Sequence, residues 1–329
     1  MPEQQHDRRL DRLVDLLVEN ATVVVSGARI ASELGVPHST LGDWMDRLRD
    51  LGVEVKGFPG SGYQLVRVPD IPTPHAIRNQ LAGSRFGSPI HHLYSIDSTM
   101  NEAGRLASKG SPEGTLVIAE QQTAGRGRFG RHWHSERASG LYCTLILRPP
   151  IQPSQAPVLT LLVGVAVAEA IQEASQIAVD LRWPNDVLMN EKKCAGILVE
   201  MTAEPLRIAH VLAGVGINVN NRRIPAELAE EATSLLLQSG RTFSRLELLI
   251  SVLKRLEHYY NRFLKDGAAS IIERFEEISS YARGKPVRVT DGANIVSGVT
   301  EGLTPEGILL VRRGDGQIEK VLSGLVRPA

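Results

Sequence analysis

Cysteine is scarce in this 329-residue chain: Cys143 and Cys194 are the only two, and they lie 51 positions apart. With no paired spacing they build neither a disulfide framework nor a zinc site. Excess charge of either sign is also missing. Lys+Arg and Asp+Glu number 37 each, so no global basic field points to nucleic acid or to a membrane surface. The longest apolar run, Val158 to Ile171, is broken by Thr160 and Glu169 and is too short to span a bilayer. The start, MPEQQHDRRL, lacks the apolar core of a signal peptide, and the chain shows no internal repeat or low-complexity tract. What remains is 42% hydrophobic and 22% charged, which is globular composition. The length exceeds one ordinary core, so the expectation is a soluble, cytoplasmic protein of two or three domains.

Three segments differ in character. In the first, Leu10, Leu13, Val14 and Leu17 recur at helical spacing. Ser26 is placed to cap a second helix carrying Ile30, Ala31 and Leu34, with Gly35 as its stop. Leu41, Met45, Leu48 and Leu51 give a third. The set Ala31, Gly35, Leu41 supplies the small crossing residue, the permissive turn and the apolar anchor that a helix-turn-helix needs. Val53, Val55 and Phe58, then Gly60-Ser61-Gly62, then Tyr63, Leu65 and Val66 read as a hairpin. Residues 1–68 are thus expected to form a winged helix-turn-helix, a small helical docking domain being the other reading. The proline-rich stretch 69–76 reads as a linker.

From 77 to 281 helical patterns (160–174, 246–264) alternate with β-branched runs (116–119, 141–147, 197–201, 211–219), as in a mixed α/β enzyme domain. Residues 282–329 carry short alternating runs separated by Asp291-Gly292, Pro305-Glu306-Gly307 and Gly314-Asp315-Gly316, which suggests a small SH3-like β-barrel. The fold class expected is therefore α+β and multidomain.

The chemistry concentrates in four places. Gly125-Arg126-Gly127-Arg128-Phe129-Gly130-Arg131 follows an apolar strand ending in Glu120-Gln121-Gln122. Glycines admit an anion close to backbone N–H groups, and guanidinium forks match phosphate or carboxylate oxygens. It is neither a Walker A loop nor a dinucleotide fingerprint, because no Gly-Lys-Ser/Thr and no helix pattern follow. An RGG-like nucleic-acid tract or a solvated basic loop stays open. Arg182-Trp183-Pro184-Asn185-Asp186, with Lys192-Lys193 and Gly196 beyond it, is either a hairpin with exposed lysines or a site where a lysine holds a carboxylate and a phosphate together. Ser98-Thr99-Met100-Asn101 can read a polar ligand or merely cap a helix. Gly214 and Gly216 lie inside a strand that leads to Asn218, allowing close approach of a ligand or another backbone. Trp133 either floors a pocket or fills the core, and His132 and His134 read as surface residues. Together these clusters suggest a site that activates a small acid with a nucleotide.

Asp97-Ser98-Thr99…Asn101-Glu102-Ala103, Gln122 to Arg128, Arg182 to Asp186, Lys193 to Glu200 and Gly216-Ile217-Asn218 resemble, in this order, the biotin–protein ligases. The preceding winged helix resembles that of their bifunctional bacterial form, which also represses the biotin operon. The likeness runs from about residue 8 to 327. It implies a class II synthetase-like catalytic domain that forms biotinyl-5′-AMP from biotin and ATP with Mg2+, then passes the biotinyl group to a lysine of a biotin carboxyl carrier protein. By match of motifs, Ser98, Thr99, Asn101, Gln122, Gly125, Gly127, Trp133, Lys193, Gly196 and Leu198 bind biotin. Arg126, Arg128, Asn185, Asp186 and Asn218 bind ATP, and Lys193, Arg126, Arg128 and Asp186 serve catalysis, with no residue assigned to a metal. The same match assigns DNA contacts to Ser39, Thr40, Arg47 and Lys56, and implies operator DNA and a homodimer as partners.

Three features depart from the family pattern. Met100 stands inside the usual Ser-Thr-Asn run, and Cys194 replaces an aliphatic residue. Residues 1–67 hold eight Lys/Arg against ten Asp/Glu, a balance of −2, where DNA-binding domains concentrate positive charge. Within that same segment Pro37 takes the place of a capping serine. The competing readings are a lipoate or octanoate ligase of the same fold and a small-acid-binding regulator without catalysis.

Overall fold

The computed structural model describes residues 2–204 and 207–329. The first segment contains α1 (Pro2–Glu19), α2 (Gly27–Leu34), α3 (Leu41–Asp50) and a hairpin of β1 (Val55–Phe58) and β2 (Gly62–Leu65). Ser26 caps α2 by accepting the Arg29 N–H, and Gly35 ends it in the left-handed region at φ 62°. Pro37 is not a side-chain cap for α3. A 3-10 turn, His38–Thr40, leads into that helix instead. Leu13, Leu17, Ile30, Leu41, Met45 and Leu48 bury the facing stripes in a core of the segment's own.

The supposed linker is fastened along its length. Ile71 joins the N-terminal core, the Thr73 hydroxyl donates to Asp15 (2.5 Å) and caps α4 (Pro74–Gln80), and Asp70 pairs with Arg245 (3.1 Å).

The central segment then runs β3 (Ile90–Leu93), α5 (Thr99–Ser108), β4 (Leu116–Ala119), β5 (Leu141–Leu147), α6 (Pro157–Ser175), β6 (Asp180–Arg182), β7 (Asp186–Met189), β8 (Lys192–Glu204), β9 (Arg207–Ile217), α7 (Leu235–Ser239), α8 (Arg245–Asp266) and α9 (Ala269–Ile278). Among the described residues its strands form one mixed sheet in the order β3-β4-β5-β9-β8-β7-β6. β3 and β4 are parallel and the remaining pairs antiparallel. α6, α8 and α9 cover one face, while α5 packs on the other against β4, β5 and β9. α6 belongs to a helical stretch, Pro153–Ser175, that is long and apolar enough to cross a membrane, so the sequence argument from length does not hold. Burial decides instead: most of it lies inside the core beneath the sheet.

β10 (Arg283–Asp291), β11 (Asn294–Leu303), β12 (Leu309–Arg312), β13 (Ile318–Val321) and β14 (Leu325–Pro328) make an antiparallel sheet ordered β13-β12-β11-β10-β14. Among the described residues no ladder joins β13 to β14, so the closure expected of a barrel is not seen. Nor is this core separate. Val287, Val289, Leu309 and Val311 belong to the central hydrophobic cluster, and the indole of Trp183 donates to the Gly307 carbonyl (3.0 Å).

Candidate active site

The exposed end of the sheet is shaped by where side chains are missing. Gly196 on β8 lies opposite Gly216 on β9, and Gly214 lies opposite Leu198. With period-two alternation these positions share one face, the face α5 covers. Added Cβ atoms would meet Trp133 at 2.9 Å from Gly196 and 2.6 Å from Gly216, while one at Gly214 would meet Met100 Sδ at 2.6 Å. The close approach expected at the two strand glycines is therefore made by side chains, and Trp133 lies on this glycine floor rather than in the core. Its indole N–H is buried with no hydrogen-bond partner among the described residues.

The glycine–arginine loop is stitched back on itself. The Trp133 N–H donates to the Gly125 carbonyl (2.8 Å), and Arg126 forms a bridge with His132. Only a 3-10 turn, Arg128–Gly130, interrupts it. A side chain at Gly125 would meet the Trp133 carbonyl at 2.5 Å, so this strap closes only over glycine.

Two of the cavities that border the strap meet beneath it. The smaller, about 50 Å³, is lined by Thr99, Met100, Gln122, Trp133, Leu198 and the three glycines, among others. Its polar corner is fully specified. Gln122 Oε1 accepts from the Thr99 N–H (2.8 Å) and hydroxyl (3.1 Å), its amide donates to Ser135 (2.9 Å), and Thr144 donates to Thr99 (2.9 Å). The larger, about 160 Å³, is rimmed by Arg128, Arg131, Arg182, Lys193, Asn218 and Arg327, with Asn185 and Asp186. Burial holds Arg128 below its ordinary pKa. Burial and then the nearby Arg182 do the same to Arg327. Like charges crowded away from water favour an incoming anion.

Lys193, Trp133, Gly127, Arg128 and Asn185 line both cavities. Lys193 Nζ sits 5.4 Å above the Trp133 ring and 2.5 Å from Asp186, whose other oxygen takes Arg182 at 2.8 Å. Burial works against the Asp186 charge, yet the two cations prevail and hold its pKa below the usual range. The lysine backbone is pinned twice, in the β7–β8 ladder and by hydrogen bonds with Glu231 (2.8 Å) and Thr233 (2.9 Å). Asn218 secures the same segment, its amide donating to the Thr233 carbonyl (2.9 Å).

Several expected residues sit otherwise. Asn101 is exposed, donates to Asp97 (2.6 Å) and accepts from Arg126 (3.2 Å), outside both cavities; Met100 takes the position facing the smaller one. Ser98 is buried, but its hydroxyl caps α5. Arg126 pairs with Glu200 (2.5 Å) at the edge of the smaller cavity, whereas Arg128 donates to Asn185 (3.1 Å). Ser135 and Thr144 lie outside the motifs, while Met100 and Arg182 lie within them but carry no assigned role there. The alternation of β5 signals Thr144, and the position of Arg182 four residues before Asp186 signals their pairing. Among the described residues no three His, Cys, Asp or Glu side chains gather to hold a metal ion.

Comparison with known proteins bears on this geometry. The model of the biotin/lipoate A/B protein ligase family matches residues 92–218, and that of the biotin protein ligase C terminal domain matches residues 283–326. The chain is 37% identical over 315 residues to the bifunctional ligase/repressor BirA of Bacillus spizizenii, across 94% of this chain and 96% of that one. It is 31% identical over 305 residues to the protein of the same name from Escherichia coli, across 91% of each. The biotin protein ligase from Aquifex aeolicus in complex with biotin and ATP matches with a TM-score of 0.64 and 32% identity, covering 74% of this chain and 100% of that one.

Proposed function

This chain belongs to the family of bifunctional biotin–protein ligases and repressors, and we infer from its two joined cavities how its residues divide the work. It is an ATP-dependent biotin–protein ligase: biotin and ATP give biotinyl-5′-AMP and pyrophosphate, and the biotinyl group then passes to a protein lysine. The observation that carries the assignment of roles is the position of Lys193, on the wall shared by a small cavity with a hydrogen-bonded polar corner and a larger cationic one. A carboxylate entering from one side and an α-phosphate from the other come together beside that ammonium.

In this reading Thr99 and Gln122 bind the ureido ring in the smaller cavity, over the glycine floor and under Trp133. Arg128, Arg131 and Asn218 receive the triphosphate, which brings Mg2+ as its counter-ion. Lys193 orients the biotin carboxylate and stabilises charge as it attacks phosphorus, while Asp186 positions the lysine with Arg182. The chain needs no nucleophile of its own, because orientation and cations placed where charge develops lower the barrier. The strap from Gly125 to Trp133 shields the mixed anhydride from water. Asn101 and Ser98 act from behind as strap anchor and helix cap.

The N-terminal residues 1–68 supply the repressor half, reading operator DNA through α3 and the hairpin. Exposure of Ser39, Arg47 and Lys56 supports this. Residues 282–329, an SH3-like unit in this reading, close the nucleotide side through Arg327. A biotin carboxyl carrier protein is the acceptor, and a second copy of the chain is the partner in repression.

The test is biotin-dependent exchange of labelled pyrophosphate into ATP, with lipoate and octanoate as controls. Exchange with biotin alone is expected. Lys193→Ala should keep the fold and lose at least about 100-fold of the rate. Wild-type rates in that variant would overturn the role given to Lys193, and no exchange in the wild-type protein would favour a non-catalytic regulator.

A further inference from the structure

The two residues that open α5, Thr99 and Met100, are both buried and both line the smaller cavity, and they make opposite kinds of wall. Thr99 is committed to hydrogen bonds with Gln122 and Thr144, so its position is fixed. Met100 has no such tether. Its thioether lies directly on the bare backbone of Gly214, where an added Cβ would come within 2.6 Å of Sδ and 3.4 Å of Cγ. Behind it are Ala103, Ile146 and Leu212 of the cluster that α5 buries against the sheet. Met100 is thus the partition between the cavity and that apolar cluster.

The neighbouring walls are glycines in a paired strand and a hydrogen-bonded corner, neither of which adjusts easily. Methionine has three rotatable bonds and a polarisable sulfur, and it fills irregular gaps without a fixed shape. At about 50 Å³ the cavity is small for a fused bicyclic acid, so a wall must adapt when such a ring enters.

We propose that Met100 is the specificity-determining residue of the acid pocket, its thioether setting how deep a ring or chain can enter. Held against Gly214, it matches a compact bicycle and stops a longer acyl chain from running into the apolar cluster behind. The inference rests on the ligase reading of the same site. It also gives a function to the residue that interrupts the family's Ser-Thr-Asn run.

The experiment compares pyrophosphate exchange supported by biotin, lipoate and octanoate in the wild-type chain, Met100→Ala and Met100→Leu. Removing about three heavy atoms from one wall is expected to raise the biotin KM tenfold or more, with kcat within about threefold. Met100→Ala should also bring exchange with lipoate or octanoate above background. Met100→Leu, which keeps the volume, should restore the biotin KM to within about threefold and again exclude the longer acids. An unchanged biotin KM and unchanged acid preference in Met100→Ala would overturn the proposal. Should that variant not fold, Gly214→Ala reads the same wall by pressing on Met100 from the sheet. A biotin KM raised tenfold with kcat preserved is expected there, and an unchanged KM would overturn the proposal. A wild-type chain with no biotin-dependent exchange would instead refute the ligase reading itself.

Discussion

His92 of β3 donates from Nδ1 to Asp11 of α1 at 2.7 Å, with both side chains buried. Its Nε2 faces Glu120 at 3.3 Å, and the Tyr94 hydroxyl donates to the same Asp11 oxygen at 3.0 Å. Glu120 in turn pairs with Arg245 (2.9 Å), which also holds Asp70. One polar chain therefore ties the first helix and the connecting segment to the end of β4, two residues before Gln122.

This relationship predicts a pH dependence. Burial alone would lower the His92 pKa, but Asp11 and then Glu120 raise it to about 10. A pKa raised on folding adds stability that is complete below the unfolded value of 6.5 and is lost as pH climbs toward about 10. The urea midpoint should fall across that window, and fall less steeply in Asp11→Asn. His92→Ala leaves Asp11 buried without the imidazolium and Glu120 with Arg245 alone, and should cost about 3–5 kcal/mol in denaturant unfolding at pH 7.

Asp186 behaves in the opposite sense. Its pKa is depressed, so its contribution is present above the usual carboxylate range and lost only as pH falls through the lowered value. The exchange rate should show no inflection from Asp186 between pH 5 and 8. Asp186→Asn should lower kcat at every pH in that window, because Lys193 and Arg182 are left facing each other. A new inflection near neutrality in the wild-type profile would contradict this.

Gly216→Ala tests the seat of Trp133. The new methyl group would lie 2.6 Å from Cε2 of the indole, so the ring must lift from the sheet. The biotin KM should rise at least about tenfold while the unfolding midpoint moves little, since alanine suits a strand better than glycine does. An unchanged KM would show that Trp133 does not define the pocket.

Operator binding is tested through Arg47 and Lys56. Each exposed side chain, if it meets a phosphate, should on replacement by Ala weaken binding across sequences and reduce the slope of log affinity against log salt by about 1. Slopes identical to wild type would assign the DNA contact elsewhere on the acidic N-terminal segment.

How much of this was legible beforehand varies with the range of the interaction involved. The caps at Ser26 and Gly35, the strands at 116–119 and 141–147 and the long helix α8 rest on contacts a few residues apart, and alternation or helical period announces those. The five motifs, in order, marked the family. The motif places Asn101 in the pocket, but helix phase is decided by where α5 docks, and docking turns Met100 toward the smaller cavity and Asn101 to solvent. Trp133 read equally well as core because its floor is built from Gly196 and Gly216, 63 and 83 residues further on.

The sequence by itself determined the family and the glycine–arginine strap, since these depend on local spacing and side-chain chemistry. Only the tertiary structure decided that Lys193 stands between two cavities and that the supposed linker is pinned through Asp70 and Thr73. It also decided that the C-terminal sheet shares the central core. Each of those facts joins residues tens to hundreds of positions apart, whose proximity is set by packing across the sheet.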